Sequence, residues 1–356
     1  MEPFKNIFNE AFVSLLATYL KARYSDFDID RFEKSVFQDD FENKELKQRM
    51  RHITHCLKQF LPQNFTEASD LLIAISPKLE GLANMVLPDF VEVYGIDDFD
   101  QSMKALEVFT KHGSSEFGVR PFMVKYPQRM MQQMYNWSKS SNEHVRRLSS
   151  EGSRPRLPWA MSLPLLKKDP KPLLELLENL KDDPSEYVRR SVANNLNDIS
   201  KDHPSFVLDV AKSWIGKSKE RDWLVKHGCR TLLKAGDTQA LTIFNYSNPD
   251  SMELSNFELD SKVKLGEKLS FSFTIDSPKE LQKLRLEFAI YFLKKNGKLS
   301  KKVFKISESI CKKYSKSVSK YFSFRPITTR VYYKGVHELS IIVNGKEFDK
   351  KQFTLI

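Results

Sequence analysis

From Pro3 to about Asn245 the apolar side chains recur at i, i+3, i+4 and i+7, as in FKNIFNEAFVSLLATYL, NKELKQRMRHITHCLKQFL, PLLELLENL and FVLDVAKSW. That spacing lays one apolar stripe along a helix, and few β-branched alternations interrupt it. Proline, or aspartate with serine, punctuates the pattern at DPKP, DDPSE and DHPSF, where an acidic or serine cap precedes the next apolar run. Between Tyr246 and Asn256 the period changes to two. KLSFSFTID, KLRLEFAIYFL, VFKISES and HELSIIVNGKEFDKKQFTLI alternate and are rich in Phe, Ile and Val, with turns at Asn296-Gly297 and Asn344-Gly345. Asn-Gly between alternating apolar runs signals hairpins, and several such runs in about 105 residues predict a β-sandwich of immunoglobulin-like size.

Within the helical part a repeat sets the architecture. NEHVRRLS (Asn142–Ser149) returns as SEYVRRSV (Ser185–Val192) 43 residues later, followed respectively by amphipathic segments at Pro172–Leu180 and Phe206–Trp214. A weaker third copy begins at RDWLVKHGCRTLL (Arg221–Leu233). Helix pairs at a period of roughly 35–45 residues form an α-α superhelix of HEAT-like repeats, whose stacked helices expose a concave face. The expected molecule is multidomain, α then β: residues 1–246 a HEAT-like solenoid that binds and acts, and 257–356 an immunoglobulin-like β-sandwich with an auxiliary binding role.

Charge narrows the partner. The 356 residues carry a net +11, distributed as −7 over residues 1–110, +7 over 111–170, zero over 171–250 and +11 over 251–356. Two separate basic blocks favour a polyanion, although such segregation is also compatible with a merely solvated surface. No run of 18 apolar residues and no signal-like N-terminus occurs, so neither a membrane span nor a membrane partner is expected. Cys56, Cys229 and Cys311 are odd in number, far apart and lack ligand spacing, which argues against a disulfide framework or zinc site and fits a reducing cytoplasm. There is no histidine pair with metal spacing, Walker loop, Rossmann fingerprint or GxSxG, so phosphoryl transfer, hydride transfer and serine hydrolysis lack support. A monomer without metal or organic cofactor is expected.

The chemistry concentrates in two related stretches. SSEFGVRP (Ser114–Pro121) and SSEGSRP (Ser149–Pro155) share a Ser-Ser-Glu start to a basic, proline-ended turn, with Glu116 and Glu151 separated by 35 residues. One such glutamate would be read as a cap or a solvated charge. Two on successive repeats are expected to project from corresponding places and to face one pocket, where carboxylates near a polyanion are functional rather than stabilising. Arg146, Arg147, Arg189 and Arg190 belong to the Val-Arg-Arg repeat; one of each pair can bridge neighbouring repeats while the other reaches the groove. Arg120, Arg154 and Arg156 lie in turns with fewer evident structural duties and are expected to bind phosphates. Trp137, Trp214 and Trp223 fall on helical stripes as core residues, whereas Trp159, in RPRLPWAM, can wall a cationic ring by cation–π attraction.

SSEFGVRPF, HVRRLSSEGSRPRLPWA and YVRRSVANNLNDISKDHP, followed by the β-domain, together resemble the bacterial AlkC DNA glycosylases, relatives of the HEAT-like AlkD alkylpurine glycosylases. The resemblance extends over essentially the whole chain and is most specific at Ser150–Trp159. It implies base excision repair of double-stranded DNA by hydrolytic removal of cationic alkylated bases such as 3-methylcytosine, 1-methyladenine and 3-methyladenine, without full base flipping. It makes Glu116 and Glu151 the acidic active-site positions, Trp159 the aromatic one, and Arg147 and Arg154 groove positions. Arg190 joins the DNA-binding set; Asn194 replaces Glu151 in the next repeat, and Asp198 in NLND can still face the groove. The competing reading is a non-catalytic HEAT-like scaffold for nucleic acid or an acidic protein, which explains the charge but not the paired glutamates. Lysines in LKKNGKLSKKVFK (Leu293–Lys305) and CKKYSKSVSK (Cys311–Lys320) are expected to meet phosphates and clamp the duplex against the solenoid, although lysines also protect strand edges.

Overall fold

The computed structural model describes residues 3–38, 40–79, 81–327 and 330–356. In chain order the helices are α1 (Glu10–Lys21), α2 (Ile29–Val36), α3 (Leu46–Phe60), α4 (Phe65–Ile75), α5 (Val86–Tyr94), α6 (Phe99–Thr110), α7 (Arg120–Lys125), α8 (Pro127–Trp137), α9 (Glu143–Gly152), α10 (Pro164–Lys168), α11 (Leu174–Leu180), α12 (Glu186–Ile199), α13 (Pro204–Trp214), α14 (Lys219–Gly228), α15 (Arg230–Ala235) and α16 (Thr238–Ile243). Among the described residues, none is long and apolar enough to cross a membrane. The chain divides into two compact units, Met1–His203 with Gly216–Gly228, and Pro204–Ile215 with Cys229–Ile356.

In the first unit α9 packs on α6, α8, α11 and α12, and α12 in turn packs on α11 and α14. The two Val-Arg-Arg copies therefore lie on adjacent helices, with Val145 and Val188 fully buried. The first arginine of each copy does the same job. Arg146 donates through Nη1 to the carbonyls of Ser140 and Ser141, and Arg189 to those of Asp183 and Pro184, each five and six residues upstream. Arg146 also reaches the next repeat, where Asp183 accepts from Nε at 2.5 Å and from Nη2 at 2.9 Å. The first arginine thus braces the turn before its own helix, and Arg146 in addition bridges to the next repeat, which leaves Arg147 and Arg190 for the other face. Asn142 starts α9 by accepting from the amides of His144 and Val145.

In the second unit β1 (Glu253–Leu259), β3 (Lys268–Asp276) and β6 (Ser315–Ser323) form one sheet in the order β1-β3-β6. The other runs β2-β8-β7-β4-β5, with β2 (Lys262–Val263), β4 (Gln282–Leu293), β5 (Leu299–Cys311), β7 (Gly335–Val343) and β8 (Lys346–Leu355). All pairs are antiparallel except β2 with β8. Alternate residues of β3, β4 and β7, including Phe271, Phe273, Leu284, Leu286, Leu339 and Ile341, fill the core of this immunoglobulin-like sandwich. Both expected Asn-Gly turns close hairpins; Asn344 and Gly345 have φ of 46° and 83°, as a two-residue turn with both central residues left-handed requires.

Helix gives way to strand between Ile243 and Glu253, inside the region where the period changes. Packing does not divide there, contrary to the expected boundary at 246. The α15–α16 segment is fastened to the sandwich by Lys283 Nζ donating to Phe244 O at 2.7 Å and Asn344 Nδ2 to Ser247 O at 2.7 Å. Gly236 and Gly345 meet so closely that a Cβ on Gly345 would stand 2.1 Å from Gly236 Cα, which explains glycine at both positions.

Candidate active site

Glu151 lies in the last turn of α9, whereas Glu116 lies in the non-helical turn between α6 and α7. The expectation of equivalent positions on successive helices is therefore incorrect: the Ser-Ser-Glu likeness is sequential, and different backbone states bring the two carboxylates together. Close chain approach does this. A Cβ on Gly152 would be 2.6 Å from Val119 Cγ2, so glycine lets the end of α9 press against the turn that carries Glu116. Ser115 Oγ donates to Leu106 O at 2.8 Å and ties that turn to α6.

The charges alternate along a row. Arg147 Nη1 hydrogen-bonds Glu116, and its Nη2 is 3.6 Å from Glu151 Oε1. Arg154 Nη1 donates to Glu151 Oε1 at 2.7 Å and its Nε to Asp198 Oδ2 at 2.8 Å, while Lys201 Nζ closes the row on Asp198 Oδ1 at 3.0 Å. Ser191 Oγ donates to Glu151 Oε2 at 2.7 Å, so both Glu151 oxygens are engaged. Ser114 Oγ hydrogen-bonds Glu116 and accepts from Arg147 at 3.0 Å. Burial raises the Glu116 pKa, with Glu151 adding repulsion and Arg147 opposing the shift. Burial works to lower the Arg147 pKa, but Glu116 and Glu151 carry it above its ordinary value.

Three arginines read from their turns as phosphate ligands behave differently. Arg120 is 1% exposed and donates to the carbonyls of Met161, Gly152 and Arg154 at 2.7, 3.0 and 2.9 Å. It clamps the loop that follows α9 and cannot reach a phosphate; burial, with Arg154 nearby, lowers its pKa to about 10. Arg154 is equally occupied, buried between Glu151 and Asp198, and Asp198 is a buried partner rather than a groove carboxylate. Arg156 remains partly exposed and makes a two-pronged pair with Asp202 at 2.9 and 2.6 Å. Arg190 is exposed, pairs with Glu186 and lies 5.7 Å from the Trp223 ring. Trp223, expected in the core, is 40% exposed and stacked on His227; Trp137 and Trp214 are buried as expected.

Trp159 is 69% exposed and has φ +62°, a left-handed backbone that costs a bulky residue about 1–2 kcal/mol. It lines a cavity of about 110 Å³ together with Glu116, Phe117, Leu46, Leu82 and Met85. A second, wider pocket of about 400 Å³, lined by Lys111, His112, Ser114, His144 and Tyr187, shares Ser114 and Leu82 with the first. Glu116, held by Arg147 and Ser114, thus borders the smaller cavity, with Lys47, Phe117 and Trp159 beside it. Among the described residues no group of three or more His, Cys, Asp or Glu side chains is placed to hold a metal ion. Sequence reasoning missed Ser191. The signal was there, since Ser191 occupies the place of the fully buried Leu148 in the preceding repeat, and a hydroxyl at a core position implies a polar partner.

A family model described as DNA alkylation repair enzyme matches residues 110–232, the span that holds the whole charge row. A second, described as the C-terminal Ig-like domain of uncharacterised protein YhaZ, matches 253–356. The chain is 47% identical over 355 residues to a Bacillus subtilis (strain 168) protein described as uncharacterized protein YhaZ, covering 99% of each. It is also similar to the solved structure of the Pseudomonas fluorescens alkylpurine DNA glycosylase AlkC bound to DNA containing an abasic site analogue, with a TM-score of 0.93, 36% identity and full coverage of both chains. The chain belongs to the AlkC family. The AlkC resemblance carried by the motif at Ser150–Trp159 is thus a relationship of the entire chain, helical region and immunoglobulin-like domain together.

Proposed function

We propose that the protein is a DNA N-glycosylase that hydrolyses the bond between deoxyribose and a positively charged alkylated base, 3-methylcytosine, 1-methyladenine or 3-methyladenine, in duplex DNA. The observation that carries this reading is a pair of preorganised carboxylates, Glu116 held by Arg147 and Ser114 at the edge of an aromatic-walled cavity and Glu151 held by Arg154 and Ser191. A ring-alkylated cationic base is already a good leaving group. When the C1′–N bond breaks, its electron pair neutralises the departing base and positive charge passes to the sugar as an oxocarbenium ion. Fixed carboxylates stabilise that charge without reorganising, because Arg147, Arg154 and Ser191 hold them before substrate arrives. Water then attacks C1′, and Glu116, whose pKa burial has raised, takes its proton. The products are the free alkylated base and an abasic site.

Trp159 offers a face to the cationic ring. Capture of the lesion without full extrusion is part of the proposal, at the cavity of about 110 Å³ and the wider pocket that shares Ser114 and Leu82 with it. The exposed Arg190 and the partly exposed Arg156 are proposed phosphate contacts, with the lysines of the β-sandwich as an auxiliary set. Duplexes carrying each lesion singly test the reading by free-base release and abasic-site formation. Release of all three, with unmodified guanine retained, is expected; binding without any release would favour the non-catalytic scaffold.

A further inference from the structure

Lys47 lies in the first turn of α3, outside the span that matches the DNA alkylation repair family. A cation there opposes the helix dipole, so local helix energetics disfavour it. The start of α3 is nevertheless firmly set, by a capping box in which Gln48 accepts from the Glu45 amide at 2.8 Å. From this base the ammonium spans two separate loops. Nζ donates to the backbone carbonyl of Trp159 at 2.8 Å and sits 4.7 Å from the ring centroid of Phe117, the residue after Glu116.

Both loops need holding. Trp159 has a left-handed backbone that its side chain disfavours, and its ring is largely open to solvent. Its placement therefore depends on what grips its backbone. Leu46, adjacent to Lys47, and Met50, one turn further along α3, line the same cavity as Glu116 and Trp159, so α3 supplies both a wall and the tie. We propose that Lys47 is a positioning residue for excision: it fixes Trp159 against the cavity and steadies the Glu116 turn through Phe117, acting through these groups rather than on the DNA. This rests on the glycosylase reading for its catalytic consequence, but not for the link between Lys47 and Trp159.

Lys47→Met keeps the aliphatic stem and removes the donor, and Lys47→Arg restores one. At saturating enzyme Lys47→Met should slow single-turnover excision about 10-fold with DNA affinity nearly unchanged, and Lys47→Arg should recover most of the rate. In a Trp159→Ala background Lys47→Met should cause little further loss, because both changes remove one arrangement. In fluorotryptophan-labelled protein the Trp159 resonance, assigned by its absence from Trp159→Phe, should shift in Lys47→Met and not in Lys47→Arg. A Lys47→Met protein with parental rate at saturation, with or without weaker binding and a flatter salt dependence, would overturn the proposal. So would equal rate losses with and without Trp159, or an unmoved Trp159 resonance. Should the parent excise nothing, the glycosylase reading fails, while the resonance still decides whether Lys47 holds Trp159.

Discussion

Arg147 touches both glutamates, and Arg154 touches Glu151 and Asp198, so neither arginine is free to follow a phosphate. Arg154→Ala would leave two buried carboxylates short of a partner, and loss of one side of a buried pair costs about 3–5 kcal/mol. Lower thermal stability and slower excision are expected, with the salt dependence of DNA binding unchanged. Arg190→Ala should do the opposite, flattening the log–log salt slope by about one unit while the saturated rate persists. Glu116 carries a signed pH test. Burial raises its folded pKa above the ordinary 4.5, so folding favours its protonated form and loses that advantage as pH rises through the raised value. Glu116→Gln should therefore be at least as stable as the parent at neutral pH, with any advantage vanishing below the ordinary carboxylate range. Excision by the parent should fall on acidification at a higher pH than an unperturbed glutamate would give. The glutamate pair was legible because Ser-Ser-Glu recurs; the arginines were misassigned because a turn in sequence says nothing about what packs over it.

At the level of elements, the loop from Gly152 to Met161 is shaped by one buried guanidinium. Removing Arg120 as Arg120→Met strands three carbonyls, and with about 1–3 kcal/mol for each buried group left unpaired it should lower stability more than any exposed arginine variant. Gly152→Ala tests the close approach of α9 to the Glu116 turn: it must displace Val119, and excision should suffer even in the folded protein. Helices and hairpins were legible where periodicity was strong, as in α1, α3, β3 and β4. β6 was not recognised, because SKSVSKYFS places lysine and serine along an edge strand with little apolar alternation.

Across the whole molecule, the change of period near residue 250 locates a change of secondary structure but not a cut. The α15–α16 segment is bonded to the sandwich through Phe244 and Ser247, so truncation near Asn248 would expose a packed surface and is expected to destabilise the remaining helices of that unit. Point changes in the full chain therefore test the β-domain better. Lys312, Lys313 and Lys320 are exposed on or beside an edge strand, and replacing all three with Gln should weaken DNA binding and flatten its salt slope if they meet phosphates. Unchanged binding would assign them to edge protection. The catalytic claim is tested most directly by single-turnover excision of one 3-methyladenine from duplex DNA, comparing the parent with Glu116→Gln at saturating enzyme. An abasic product from the parent, and a loss of about 100-fold or more in Glu116→Gln at near-parental DNA affinity, are expected. Excision by Glu116→Gln at the parental rate would contradict the assignment of Glu116 to the chemistry.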